Sequence, residues 1–215
     1  MMQNTTIIRR LAAEFLVIFG VFPFALSLLR PPHAWLYVIL WVAAVLAWRG
    51  TRYHGPAKWR DIWNFSAFTR PVVKSILIRF APCAAALLIF TWVMYPDILF
   101  SLPRKSLKVW ALVMLLYPLL SVVPQEIIFR SYFFRRYRAL FSNVTMNLAS
   151  AVAFGWAHIV LQNWIAVVFS AIGGYLFAHT YRKTNSLAVA SFEHALYGCY
   201  IFTIGLGFYF YHGNR

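Results

Sequence analysis

Three short runs place side chains capable of acid–base chemistry inside otherwise apolar stretches. Pro124-Gln125-Glu126-Ile127-Ile128-Phe129-Arg130 sets an amide, a carboxylate and a guanidinium close together. On a helix Glu126 and Arg130 stack one turn apart, with the acid N-terminal to the base, the better order for a pair. Gln125 is turned about 100° from them, onto a neighbouring face. Phe154-Gly-Trp-Ala-His158 gives Phe154 and His158 a shared face, and Ser191-Phe-Glu-His194-Ala-Leu-Tyr-Gly198 carries His194. Carboxylates and imidazoles are the usual groups of general acid–base catalysis. Taken singly, Glu126 and Arg130 read as a structural ion pair, and each histidine as a hydrogen-bonded packing residue. A carboxylate, a guanidinium and two imidazoles on three apolar segments are harder to assign to packing, because intramembrane polar groups are costly. Glu126, His158 and His194 also have the makings of a three-ligand zinc site with one open position. No His-Glu-x-x-His helix supports that alternative.

The elements that must position these groups are membrane helices. Of 215 residues, 62% are hydrophobic and only 12% charged, against about half and a quarter in soluble domains. A bilayer-spanning helix needs about 20 mostly apolar residues. The sequence predicts an all-α integral membrane protein, one polytopic domain over 1–215, with about eight transmembrane helices and short loops. The expected spans are 11–29, 33–48, 75–94, 109–129, 145–160, 164–180, 187–197 and 199–211. The first is long for a signal peptide and carries Glu14, so it reads as a retained helix. Gly198, Gly205 and Gly207 mark either a break between the last two segments or close packing. The stretch 49–74, with Arg49, Arg52, Lys58, Arg60, Arg70, Lys74, Trp59 and Trp63, suits an interfacial loop that meets lipid headgroups.

The 20 Lys and Arg against five acids give a net charge of +15. They lie between apolar runs rather than on a polar face, which argues against nucleic acid and for anionic phospholipid as the partner of this charge. Their distribution predicts a cytoplasmic N-terminus, and a cytoplasmic C-terminus if the spans are even in number. Cys83 and Cys199 both sit in apolar stretches and indicate neither a disulfide framework nor a zinc cluster. His33, His54, His179 and His212 receive no role.

The three motifs, in order and spacing, resemble the CAAX-protease and bacteriocin-processing (Abi) family of intramembrane endopeptidases. The family pattern is Glu-Glu-x-x-x-Arg, then Phe-x-x-x-His, then a His followed four residues later by Asn. Here these read Gln125-Glu126-Ile-Ile-Phe-Arg130, Phe154-Gly-Trp-Ala-His158 and His194-Ala-Leu-Tyr-Gly198, a core spanning 118–198. The resemblance implies metal-free hydrolysis of a membrane-anchored or C-terminally tagged protein, in the inner (plasma) membrane of a bacterium. Position 125 and His158 would activate water, His194 would stabilise the oxyanion, and Glu126 with Arg130 would orient the site. Two positions depart from the pattern. Gln125 replaces the first Glu and cannot accept a proton near neutral pH, which implies a silenced enzyme, a natural pseudoprotease, or one in which Glu126 takes over. Gly198 replaces the Asn, with Tyr197 as a neighbouring substitute. The competing expectation is a non-catalytic peptide-binding or bacteriocin-immunity membrane protein using the same cavity.

Overall fold

The computed structural model describes residues 2–53 and 58–211, which are helical throughout with short turns between. His54, His212, Arg215 and the 54–57 part of the basic loop lie outside the described residues. Seven helices are long and apolar enough to cross a bilayer: α1 (Thr5–Leu29), α2 (His33–Arg52), α3 (Arg70–Met94), α4 (Leu107–Arg136), α5 (Asn143–Leu161), α6 (Trp164–Thr184) and α7 (Leu187–Ile204). The expected count of eight is therefore replaced by seven among the described residues. The segments 187–197 and 199–211 do not part at Gly198, which lies inside continuous α7. The helix ends instead at Gly205, whose backbone is left-handed at φ +102°, a conformation that favours glycine. A Cβ at 205 would also overlap the Ile98 carbonyl.

Local sequence sets the starts of the last four spans. Ser106, Asn163 and Ser186 each accept a hydrogen bond from a backbone N–H three residues on, and Ser142 forms a capping box with Thr145. Each cap satisfies a donor that a helix N-terminus otherwise leaves bare. Proline shapes α4 differently. Pro118 and Pro124 have no N–H to give, and α4 passes them through two widened π turns, at Pro118–Val122 and Ile127–Tyr132. The Leu120 carbonyl, deprived of its partner by Pro124, accepts the indole N–H of Trp41 at 3.1 Å. Thus α2 supplies the bond that proline removes from α4.

Contacts between the helix ends sort the connections onto two faces. On one, Gln162 donates to the Ser27 carbonyl, Asn163 to the Tyr209 carbonyl, and the Phe100 N–H to Ile204. On the other, Asn64 donates to the Thr184 carbonyl and Ser186 to the Trp63 carbonyl. The second face gathers Arg52, Lys58, Arg60, Arg138, Arg182 and Lys183, while Arg30, Arg104 and Lys105 lie on the first. With seven crossings, α1 begins on the basic face and α7 ends on the opposite one. The expectation of a cytoplasmic C-terminus was tied to an even number of spans, and residues 212–215 lie outside the described residues.

Two ion pairs tie distant spans together. Glu14 of α1 pairs with Arg136 at the end of α4 and accepts from the Tyr132 and Tyr137 hydroxyls. Glu193 of α7, fully buried, accepts from Arg79 of α3 at 2.9 Å, and the same guanidinium nitrogen reaches Thr180 of α6 at 2.8 Å. Removing one member of a buried pair strands the other's charge, at a cost of roughly 3–5 kcal/mol. The Arg79 side chain is 26% exposed, which places Arg79→Ala at the lower end of that range. The substitution is expected to lower the thermal unfolding midpoint in detergent, and Arg79→Ala combined with Glu193→Gln should recover most of the loss. Equal midpoints for Arg79→Ala and the parent chain would show that Glu193 does not depend on this partner.

Candidate active site

Glu126, just before the second widened turn of α4, and Arg130, within it, both point into the bundle, where they are fully buried. Glu126 Oε2 lies 3.2 Å from Arg130 Nε, and Glu126 Oε1 lies 2.9 Å from Nδ1 of His194 on α7. Both oxygens of the carboxylate are thus engaged. The same turn turns the Phe129 carbonyl toward α5, where it accepts from Ser150 Oγ at 2.9 Å. Arg130 Nη1 donates to Ser150 Oγ at 2.7 Å and to the Phe129 carbonyl at 3.1 Å. Its guanidinium carbon sits over the rings of Phe154 and Phe177, 5.2 and 5.9 Å from their centroids. Cation–π contact of this kind stabilises a charge that burial would otherwise disfavour.

Phe177 of α6 also stacks on His194, with centroids 4.5 Å apart and planes 14° from parallel. Phe154 meets the same imidazole edge-on at 5.3 Å. His194 is therefore clamped between two rings and bonded to Glu126 at Nδ1. Its other nitrogen, Nε2, lies 3.3 Å from the hydroxyl of Tyr117. Because a carboxylate accepts, Nδ1 of His194 is the donor to Glu126.

Gln125 points the other way, as its rotation around α4 predicts. With Tyr117, Ser121 and His158 it lines a cavity of about 260 Å³, to which His33, Tyr37 and Tyr211 also contribute polar groups. Apolar side chains of α1 and α2, among them Phe19, Phe22, Leu36 and Leu40, make much of the rest. Gln125 Nε2 donates to Ser121 Oγ at 2.9 Å. Its carbonyl oxygen is buried and has no protein partner. His158 closes α5 in a short 3₁₀ turn, and its Nδ1 lies 2.8 Å from the Phe154 carbonyl. That carbonyl can only accept, so Nδ1 carries the proton and Nε2 keeps a free lone pair.

The five residues singled out from the sequence thus fall into two layers. Gln125 and His158 face the cavity, whereas Glu126, Arg130 and His194 form a sealed, mutually bonded cluster behind it. Among the described residues, no three His, Cys, Asp or Glu side chains come together as a metal-holding group. Tyr197, the proposed stand-in for the missing Asn, packs edge-on against Phe80 at 5.1 Å and is not among the cavity residues. Sequence reasoning missed Tyr117 and Ser121, although a signal was present. Tyr117, Ser121 and Gln125 recur every four residues through an apolar span, the spacing of a polar stripe on one helix face. It also missed Phe177, for which a single phenylalanine in an apolar helix gave no signal.

Residues 107–200 match the family model of the type II CAAX prenyl endopeptidase Rce1-like proteins. The match takes in α4 to α6 and most of α7, and with them every residue of the two layers. No curated protein and no solved structure matches the chain. The segment that builds this site is thus similar to that family, in line with the resemblance its three motifs carry.

Proposed function

We propose that this is an intramembrane endopeptidase scaffold whose cavity takes a membrane-anchored peptide segment, and that Gln125 silences it as the sequence stands. The observation that carries this reading is the shared exposure of Gln125 and His158 to one apolar cavity, with the ion-paired cluster sealed behind them. A carboxylate at 125 would share the cavity wall with His158, whose Nε2 carries a free lone pair, with no guanidinium bonded to it. It would take a proton from water, the water oxygen would add to the scissile carbonyl, and the same proton would pass to the departing amine. An amide at 125 holds a ligand by hydrogen bonds but cannot carry that proton. Glu126 does not substitute for it, because Arg130 and His194 hold both its oxygens away from the cavity. The basic face, with its exposed Trp59 and Phe65, suits the cytoplasmic side and anionic phospholipid headgroups.

Expressed in membranes of a host lacking a relative, the Gln125→Glu form is expected to generate new protein termini, detected by mass spectrometry of membrane-anchored proteins. The parent chain should be slower by at least about 10²-fold, the low end of what general-base catalysis contributes. Adding His158→Ala to Gln125→Glu should remove a similar factor while insertion is unchanged. A second reading, a peptide-binding protein that never cleaves, is favoured by the unpartnered carbonyl oxygen of Gln125 in the cavity wall. It gains if neither form makes termini while a lipid-anchored peptide binds both.

The two layers also differ in what their loss does to the fold. Glu126→Ala strands the fully buried Arg130 and should cost roughly 3–5 kcal/mol, read as a clearly lower unfolding midpoint. Gln125→Ala breaks one hydrogen bond to Ser121 and should cost about 1 kcal/mol. Similar midpoints for the two variants would contradict the division of roles.

A further inference from the structure

His194 is bonded to Glu126 and clamped by two rings, and it does not line the cavity. Between it and the cavity stands Tyr117. The Tyr117 hydroxyl lies 3.3 Å from His194 Nε2, and its ring packs edge-on against Phe202 at 5.2 Å. It can lie there because position 198 has no side chain. A Cβ built on Gly198 would overlap both the Tyr117 ring edge and its hydroxyl. The space that a side chain four residues after His194 would occupy is filled from α4 instead.

We propose that Tyr117 is the hydrogen-bond donor this cavity offers to the carbonyl oxygen of a bound peptide, with Gly198 making its room and His194 positioning it. The proposal rests on the endopeptidase reading for its catalytic consequence, but the placement of the hydroxyl does not. With Nδ1 of His194 donating to Glu126, Nε2 accepts, and the Tyr117 O–H points to it in the resting state. At 3.3 Å that contact is longer than an ordinary hydroxyl hydrogen bond. Turning the hydrogen about the Cζ–Oη bond toward a ligand oxygen therefore costs little. A donor aimed at the oxygen that gains charge in acyl transfer stabilises the transition state more than the ground state. No proton is transferred in this role, and the base at 125 and the donor at 117 act on opposite partners, the water and the carbonyl.

The test uses the full chain in detergent micelles, with Tyr117→Phe as the variant, since it keeps the ring against Gly198 and Phe202. Nitrogen-15 NMR of labelled histidine reads the first step. Tyr117→Phe should shift the Nε2 resonance of His194, and Tyr197→Phe should not; an unmoved resonance in Tyr117→Phe overturns the placement. The second step measures binding of a palmitoylated peptide aldehyde, whose hydrate mimics the tetrahedral centre, against the matching carboxamide. The aldehyde should bind Tyr117→Phe about 10-fold more weakly and the carboxamide within about twofold. Equal losses for both, or none, would refute the donor role. In the Gln125→Glu background, Tyr117→Phe should lower kcat about 10² to 10³-fold with KM little changed. Tyr117→Ala with Gly198→Asn should restore part of that loss. If Gln125→Glu itself is inactive, the endopeptidase reading fails, and the NMR and aldehyde measurements still decide the role of Tyr117.

Discussion

An ionised carboxylate in an apolar bundle has to be given a partner, because leaving it unpaired in a medium of low dielectric is prohibitive. Three glutamates lie within the membrane-spanning helices of this protein, and each meets an arginine: Glu14 with Arg136, Glu126 with Arg130, Glu193 with Arg79. These pairs determine which helices must meet. The first binds α1 to the end of α4, and the third binds α3 to α7, with Thr180 drawing in α6. In the second pair both members belong to α4, so the carboxylate needs no other helix for its charge. Its remaining oxygen is free to accept from His194, and that bond fixes α7 against α4.

Aromatic rings complete what the charges begin. Arg130 keeps two guanidinium nitrogens, Nε and Nη2, without a hydrogen-bond partner, Nε meeting Glu126 only as an ion pair, yet two phenyl rings cover the group. Phe154 serves three partners at once: its face meets Arg130, its ring meets His194 in a T-shaped contact, and its backbone carbonyl accepts a hydrogen bond from His158 Nδ1. Phenylalanine four residues before histidine thereby links the sealed cluster to the cavity wall. Substituting another apolar residue at 154 would keep the burial but lose the quadrupole that suits a cation.

The all-α membrane bundle and the pairing of Glu126 with Arg130 were legible in sequence because both rest on local rules, apolar length and helical spacing. The separation of Gln125 from Glu126 followed from the same geometry. The number of spans was not legible at the C-terminal end. Gly198 and Gly205 look alike in one dimension, but the first admits a tyrosine ring inside a helix while the second ends one at positive φ. Nor was the Arg79–Glu193 pair read, although two opposite charges in apolar spans are an invitation to seek one. Its members stand 114 positions apart, and only packing brings them together. Tyr117 was hidden for a different reason. The widened turn at Pro118–Val122 shifts the helical phase just where the Tyr117–Ser121–Gln125 stripe begins, so a stripe on paper becomes a cavity wall only in the folded helix.

The single step between residues 125 and 126 separates two demands that one side chain could not meet. A group that holds helices together by charge must keep that charge at all times. A general base must lose and regain its charge in every turnover. A carboxylate doing both would loosen the bundle whenever it took a proton. Rotating about 100° from one residue to the next puts Glu126 inside the ion-paired cluster and position 125, the proposed site of the exchangeable proton, at the cavity, both on one helix. An amide at the exchangeable position therefore leaves the architecture whole. On the proposed reading, Gln125 would abolish proton transfer without disturbing the helices, because its amide makes a hydrogen bond to Ser121 and no ion pair.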